Sequence, residues 1–173
     1  MKGFTAGVAL AVLAGCTAHV PSPGHPDTAR MFLVDVAPSR LVGTWYEVAR
    51  YPATFQRDCT HVTATYTPRT DGTLGVVNRC RRNGATEQIT GVATPVGPGQ
   101  LKVRLDSVPI AGDYWVLGRS RDGRTVYVGT PSRTAGWVLH RDRRFTEEQR
   151  RVAERLFRRN GYDEAAIQRT DQR

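Results

Sequence analysis

Cys16 is the residue whose neighbours point most directly to a defined chemistry. It ends the run Leu13-Ala14-Gly15-Cys16, behind an apolar stretch from Phe4 to Leu13 and a basic start at Lys2. A positive start, an apolar centre of roughly 7–15 residues and small residues at the cleavage point form an export signal. In the bacterial lipobox pattern the cysteine thiol is diacylated and the new amino terminus is acylated after cleavage. We therefore predict a signal peptide over 1–15 and a lipidated Cys16 that anchors the chain to a membrane. An ordinary leader with a chance cysteine is the alternative.

Cys59 and Cys80 are the two cysteines that remain, and an even pair in an oxidising compartment predicts a disulfide. Pairing across the Asp71-Gly72 turn supports it: if Tyr66 opposes Leu74, Cys59 falls opposite residue 81, next to Cys80. The same two cysteines with a histidine could be drawn as a zinc site, but that set is one ligand short. No metal is predicted.

Motifs for catalysis are absent from the sequence. It contains no G-x-S-x-G elbow, H-E-x-x-H pair, P-loop or dinucleotide-binding glycine pattern. We therefore predict no catalytic residue and no cofactor. Glu47 is the one acid in the first predicted strand, and we expect it at the surface.

The charge of the chain is carried by arginine. The net charge is +9, and the 25 basic residues include only Lys2 and Lys102 as lysines. Export removes nucleic acid as a partner and leaves anionic lipid headgroups as the available polyanions. The alternative is an arginine-rich soluble surface without a partner.

Short β-branched and aromatic runs, separated by Gly, Asp and Pro, follow one another from residue 43 onward. The runs cover 43–51, 61–67, 73–81, 85–96, 100–105, 113–119, 125–130 and 137–141. Eight consecutive antiparallel strands with short turns predict an all-β, up-and-down barrel, with a β-sandwich as the competing architecture. A capping box at Thr146 and Gln149, an apolar stripe and a stop at Gly161 predict a C-terminal α-helix packed outside the barrel. A tail with Tyr162 and Ile167 follows, and we expect it to add one further edge strand.

Several segments together carry a resemblance to a known family. Gly43-Thr44-Trp45-Tyr46 is similar to the G-x-W-Y signature of the lipocalins, and 62–66, 76–78, 113–117 and 137–141 extend the match. The resemblance is strongest to bacterial outer-membrane lipoprotein lipocalins and the apolipoprotein D branch. It implies that Arg141 lies over Trp45 beside Gly43 and closes the barrel floor, as a cation on an aromatic face. The family's T-D-Y signature is replaced here by Ser120-Arg121-Asp122-Gly123.

Alternation and the resemblance together predict the lining of a ligand cavity. We expect seven residues to face the interior, and at each of them packing without ligand contact is the alternative. They are Tyr66, Val76, Asn78, Trp115, Leu117, Trp137 and Leu139. Apolar, aromatic linings of this kind suit acyl chains.

The leading hypothesis is therefore a binding protein without enzymatic activity. It predicts an acylated N-terminus and flexible tether over 16–33 and a lipocalin domain over 34–173 that holds a fatty acid or lysophospholipid. Thr17 after the cysteine resembles the sorting pattern of outer-membrane lipoproteins, so we expect attachment to that membrane, facing the periplasm or the cell surface, as a monomer or homodimer. The runner-up is a lipocalin-fold enzyme acting on a lipid as an isomerase or peroxide-handling catalyst, and a structural envelope protein is the third hypothesis.

Overall fold

The computed structural model describes residues 31–173. It contains nine strands and one α-helix, with short 3-10 turns at Pro38–Arg40, Thr54–Gln56 and Glu164–Ala166. The strands are β1 (Gly43–Tyr51), β2 (Thr60–Pro68), β3 (Leu74–Arg82), β4 (Ala85–Gly97), β5 (Gln100–Leu105), β6 (Gly112–Arg119), β7 (Thr125–Gly129), β8 (Gly136–His140) and β9 (Gln168–Arg169). The helix, α1, spans Glu147–Arg159. The predicted signal peptide and the predicted lipidation site at Cys16 lie outside the described residues.

Strands β1 to β8 form a closed antiparallel barrel. Each strand pairs with the next along the chain, and β1 pairs with both β8 and β2. The barrel prediction is therefore confirmed over the sandwich. Alternation of direction puts the β1–β2, β3–β4, β5–β6 and β7–β8 loops at one end, here called the mouth. The chain enters β1 at the opposite end, the floor.

The β2–β3 hairpin has a different register from the one expected. Tyr66 pairs with Val76, and Leu74 pairs with Pro68. The turn is longer than a two-residue hairpin, because the N–H of Arg69 bonds to the carbonyl of Thr73. A shift of two residues keeps every side chain on its predicted face. The Cys59–Cys80 disulfide is present, with Cα atoms 5.4 Å apart.

The C-terminal tail fills a gap in the barrel wall. β1 and β2 pair directly only from Gly43 to Tyr46, and beyond this point β9 pairs with β1 instead. The N–H of Thr170 bonds to Val48, while the carbonyl of Asp171 accepts from the N–H of His61. The expected edge strand is therefore a short seam between β1 and β2.

Helix α1 packs on the outer surface of the barrel, as predicted. The capping box is complete: Thr146 Oγ1 accepts from the N–H of Gln149, and the Gln149 side chain accepts from the N–H of Thr146. Its buried face joins a cluster with outward-facing barrel residues that include Leu117, Tyr127 and Val138. Within residues 31–173, no helix is both long and apolar enough to cross a membrane.

Candidate ligand-binding site

The floor of the barrel is closed by Arg141 and Trp45. The Arg141 guanidinium carbon lies 3.5 Å from the centre of the Trp45 ring, which is fully buried. Arg141 also donates to the carbonyls of Thr44 (2.9 Å) and Val42 (2.8 Å). Gly43 is required here, since it has a φ of +100° and a Cβ would lie 3.0 Å from Arg141 Nη1. The cation is thus held on the ring by its own hydrogen bonds, and solvent is excluded from this end.

Above the floor, the lower half of the interior is filled by packed side chains. Tyr66 and Tyr114 meet edge to face, with ring centres 6.1 Å apart. Burial raises the pKa of Tyr66 to about 12 and that of Tyr114 well above its usual value, so both stay neutral. Among the described residues, Tyr114 Oη is the one buried side-chain polar atom without a hydrogen-bond partner. Val76 and Leu139 are buried in the same cluster.

The upper half of the interior is apolar and accessible. Register places Ala64, Asn78 and Ile89 side by side on the inner face, because Asn78 pairs with Ala64 on one side and Ile89 on the other. All three are only half-buried, although their neighbours nearer the floor are buried. Val103, Leu105 and Trp137 continue this wall and pack against the buried inner cluster. The interior is therefore a cup, sealed below and open towards the mouth.

Of the seven expected lining residues, Asn78 and Trp137 lie on the accessible upper wall, and three are packed in the lower half: Tyr66, Val76 and Leu139. The other two do not face the interior. Tyr114 and Val116 belong to the inner cluster, so Trp115 between them points to the outer face. Leu117 packs in the outer cluster beneath α1, where an irregularity in pairing follows Val116. The expectation that Trp115 and Leu117 line the interior is wrong. Because α1 covers the outer face of β6, both faces of this strand carry apolar residues. The pattern of apolar and polar residues therefore does not identify its inner face.

A polar network lies at the rim of the cup, around Glu47. Trp137 Nε1 donates to Gln56 Oε1 (2.7 Å), and Gln56 Nε2 donates to Glu47 Oε2 (2.7 Å). Glu47 Oε1 accepts from Thr170 (2.8 Å) and from Arg50 (3.3 Å), with which it forms an ion pair. Glu47 is only 2% exposed, so the expectation of a surface position is wrong. Burial raises the pKa of this carboxyl, although the surrounding donors oppose that rise.

The alternative zinc site lacks its two cysteine ligands in this structure. The disulfide consumes the thiolates of Cys59 and Cys80. No group of three or more His, Cys, Asp or Glu side chains suited to a metal ion occurs within residues 31–173.

Several residues of the cup were not singled out from the sequence. Val103 and Leu105 lie on β5, where Leu101, Val103 and Leu105 alternate with polar residues, so simple periodicity could have found them. Gln56 and Thr170 carry no such signal, since one lies in a loop and the other in the tail. Only the folded chain brings them to Glu47.

Comparison with known proteins gives the same family as the motifs. A model described as a lipocalin-like domain matches residues 34–172. Temperature-induced lipocalin-1 of Arabidopsis thaliana is 35% identical over 144 residues, which are 77% of each chain. The outer membrane lipoprotein Blc of Escherichia coli K12 is 35% identical over 129 residues, 72% of each chain.

More distant proteins extend the match. Apolipoprotein D of Macaca fascicularis is 27% identical over 146 residues, 78% of this chain and 76% of its own. Insecticyanin of the tobacco hornworm Manduca sexta has the same fold, with a TM-score of 0.64 at 17% identity over 82% of this chain and 84% of its own. The chain belongs to the lipocalin family, whose members bind small hydrophobic ligands.

Proposed function

We propose that this protein holds a fatty acid or lysophospholipid in its barrel and carries or stores it at the bacterial envelope. The observation that supports this most is the division of the interior, in which a sealed floor lies below an accessible, apolar upper wall. Burial of an acyl chain yields about 0.8 kcal/mol per methylene, so several methylenes buried against the apolar wall supply useful affinity. Function by burial needs no bond making, and we propose that the protein is not an enzyme.

The polar rim indicates how such a ligand is oriented. Asn78 on the upper wall and the partly exposed Arg50 and Gln56 are polar groups near the mouth, whereas the residues of the lower half are mostly apolar. An amphiphile therefore places its acyl chain downward and its head group at the rim, where water and polar side chains solvate it.

Filling the cup tests this proposal. Ala64→Trp adds an indole ring to the half-buried upper wall. We expect at least about tenfold weaker binding of a long-chain fatty acid, because the ring displaces roughly two of the methylenes that the ligand would bury. Trp115→Ser is the control, because this side chain lies on the outer face. Titration with a fluorescent fatty acid, with thermal unfolding measured for both variants, gives the result. Equal affinity of Ala64→Trp and the parent would rule out the cup as the site.

We further propose that the protein is attached through acylated Cys16 to the outer membrane. The lipobox-like sequence and the similarity to proteins named outer membrane lipoproteins support this. Cys16→Ser should leave an unacylated precursor, detected by intact mass and by loss of acyl-chain labelling. A variant that is still acylated would contradict the anchor.

A further inference from the structure

Large apolar side chains are exposed on two loops at the mouth. In the β5–β6 loop, Ile110 is 77% and Val108 41% exposed, and in the β1–β2 loop Phe55 is 64% exposed. Ile110 and Phe55 are the two most exposed large hydrophobic residues of the described chain. Apolar surface concentrated at one end of a molecule is typical of an interaction site.

The loop that carries Phe55 is held in place by polar contacts. Arg82 donates to the carbonyls of Phe55 (3.1 Å) and Arg57 (3.2 Å), and Gln56 is fixed inward by Glu47 and Trp137. The Cys59–Cys80 disulfide ties the end of the same loop to β3. Phe55 is therefore held pointing into solvent by the contacts of its neighbours.

Positive charge surrounds these apolar side chains. Arg57, Arg81 and Arg104 lie at or near the mouth, are exposed, and form no ion pair within residues 31–173. Glu87 is paired with Arg82 and Asp113 with Lys102, while Asp58 and Asp106 in the same two mouth loops are exposed and form no ion pair within residues 31–173. The three unpaired arginines therefore outnumber the unpaired carboxylates of these loops, and cations beside apolar side chains are the combination that an anionic lipid surface attracts.

The described chain also begins on this side of the barrel. The N–H of Phe32 bonds to Asn160 Oδ1 (2.7 Å), at the end of α1. Asn160 is joined to the β7–β8 loop at the mouth, because its carbonyl accepts from Arg133 Nε (2.6 Å). Phe32, next to the start of the described chain, therefore lies on the mouth half of the barrel.

We propose that the mouth of the barrel docks on the surface of a membrane containing anionic phospholipid, with Phe55, Val108 and Ile110 inserted among the head groups. The docking surface is these three side chains with Arg57, Arg81 and Arg104. Docking extends the proposed function, because it turns the open end of the cup towards the bilayer. An acyl chain then passes between the cup and the bilayer without crossing bulk water. It does not depend on acylation of Cys16.

Two exposed aliphatic residues at opposite ends provide a matched test. Ile110→Trp places an indole in the docking surface, and Val96→Trp places one at the floor end of β4, where Val96 is 54% exposed. Each full-length variant is mixed with excess vesicles of phosphatidylcholine and phosphatidylglycerol that carry brominated acyl chains. The signal of the parent's own tryptophans is subtracted.

We expect the added indole of Ile110→Trp to be quenched at least about twofold more than that of Val96→Trp, because only the first enters the bilayer. In the Ile110→Trp protein, Arg57→Glu with Arg81→Glu should lower that quenching, whereas Arg119→Glu with Arg121→Glu, the same change of charge at the floor end of β6 and in the β6–β7 loop, should not.

Equal quenching of the two indoles, or stronger quenching of Val96→Trp, would overturn the docking surface. So would an equal effect of Arg119→Glu with Arg121→Glu, because charge alone would then explain the association. Flotation of the vesicles reports attachment separately. Protein that floats with both indoles unquenched retains its anchor but has no docked mouth.

Discussion

At the scale of single residues, the floor of the cup depends on one cation and one ring. Arg141 is held by two backbone carbonyls, and Trp45 Nε1 donates to the carbonyl of Leu41 (2.7 Å), so neither side chain can turn away alone. The resemblance supplied this pair from the sequence, because the signature fixes Trp45 and the last strand fixes Arg141.

Removing the ring should cost much stability. We expect Trp45→Ala to lower the free energy of unfolding by about 3–5 kcal/mol, since a fully buried aromatic side chain leaves a cavity. Urea denaturation measures the change, with Trp115→Ala as a partly exposed control that should lose less. A loss from Trp45→Ala below about 1 kcal/mol would show that the floor does not depend on the stacked ring.

The buried carboxyl of Glu47 has a pH signature of its own. Burial raises its pKa above the usual 4.5, so the folded state holds this proton more tightly than the unfolded state. Its contribution to stability is therefore complete below about pH 4.5 and is lost as the pH rises through the raised pKa of the folded protein.

We expect the free energy of unfolding of the parent, relative to Glu47→Gln, to fall as the pH rises from 4 towards neutrality. Urea denaturation across this range measures the difference. A difference that grows with pH would mean that the donors around Glu47 outweigh its burial and lower the pKa.

At the scale of elements, alternation predicted the inner face where only one face of a strand is apolar. It placed Tyr66, Val76 and Asn78 correctly on the inner wall. The register differs from the expected one by two residues, and this shift leaves every side chain on its predicted face. The inner face of β6 was assigned from the resemblance instead, and that assignment was wrong, because Leu117 packs beneath α1 on the outer face of the strand. The burial of Glu47 was missed because its partners Gln56 and Thr170 reach it only after the barrel closes.

The C-terminal seam is held to β1 and β2 by polar side-chain contacts. Gln172 Nε2 donates to the carbonyls of Glu47 (2.9 Å) and Val62 (2.8 Å), and so bridges β1 and β2 where they separate. Both bonds are buried. The side chain therefore replaces part of the missing ladder between the two strands.

Gln172→Ala should destabilise the protein by about 1–3 kcal/mol, because two buried carbonyls lose their donor. Arg173→Ala is the neighbouring control, with a side chain 97% exposed. Chemical denaturation gives the magnitude, and faster hydrogen exchange in β2 should accompany it. If Gln172→Ala is no less stable than Arg173→Ala, the seam does not contribute to closing the wall.

At the scale of the whole molecule, the floor, the cup and the mouth lie in this order along the axis of the barrel. The floor is closed by Arg141 and Trp45, the upper wall is apolar and accessible, and the mouth carries the polar rim and the exposed apolar loops. The sequence predicted the barrel and the helix. It could not bring together the residues of the mouth, because they come from loops far apart in the chain.

The most direct test of a lipid-carrying cup is native mass spectrometry of the protein purified from its own envelope in mild detergent. We predict that the parent carries a fatty acid or lysophospholipid of defined mass, and that Ala64→Trp, purified in the same way and still folded, has lost most of it. A parent without bound lipid, or equal lipid on the parent and on Ala64→Trp, would contradict a lipid-carrying cup.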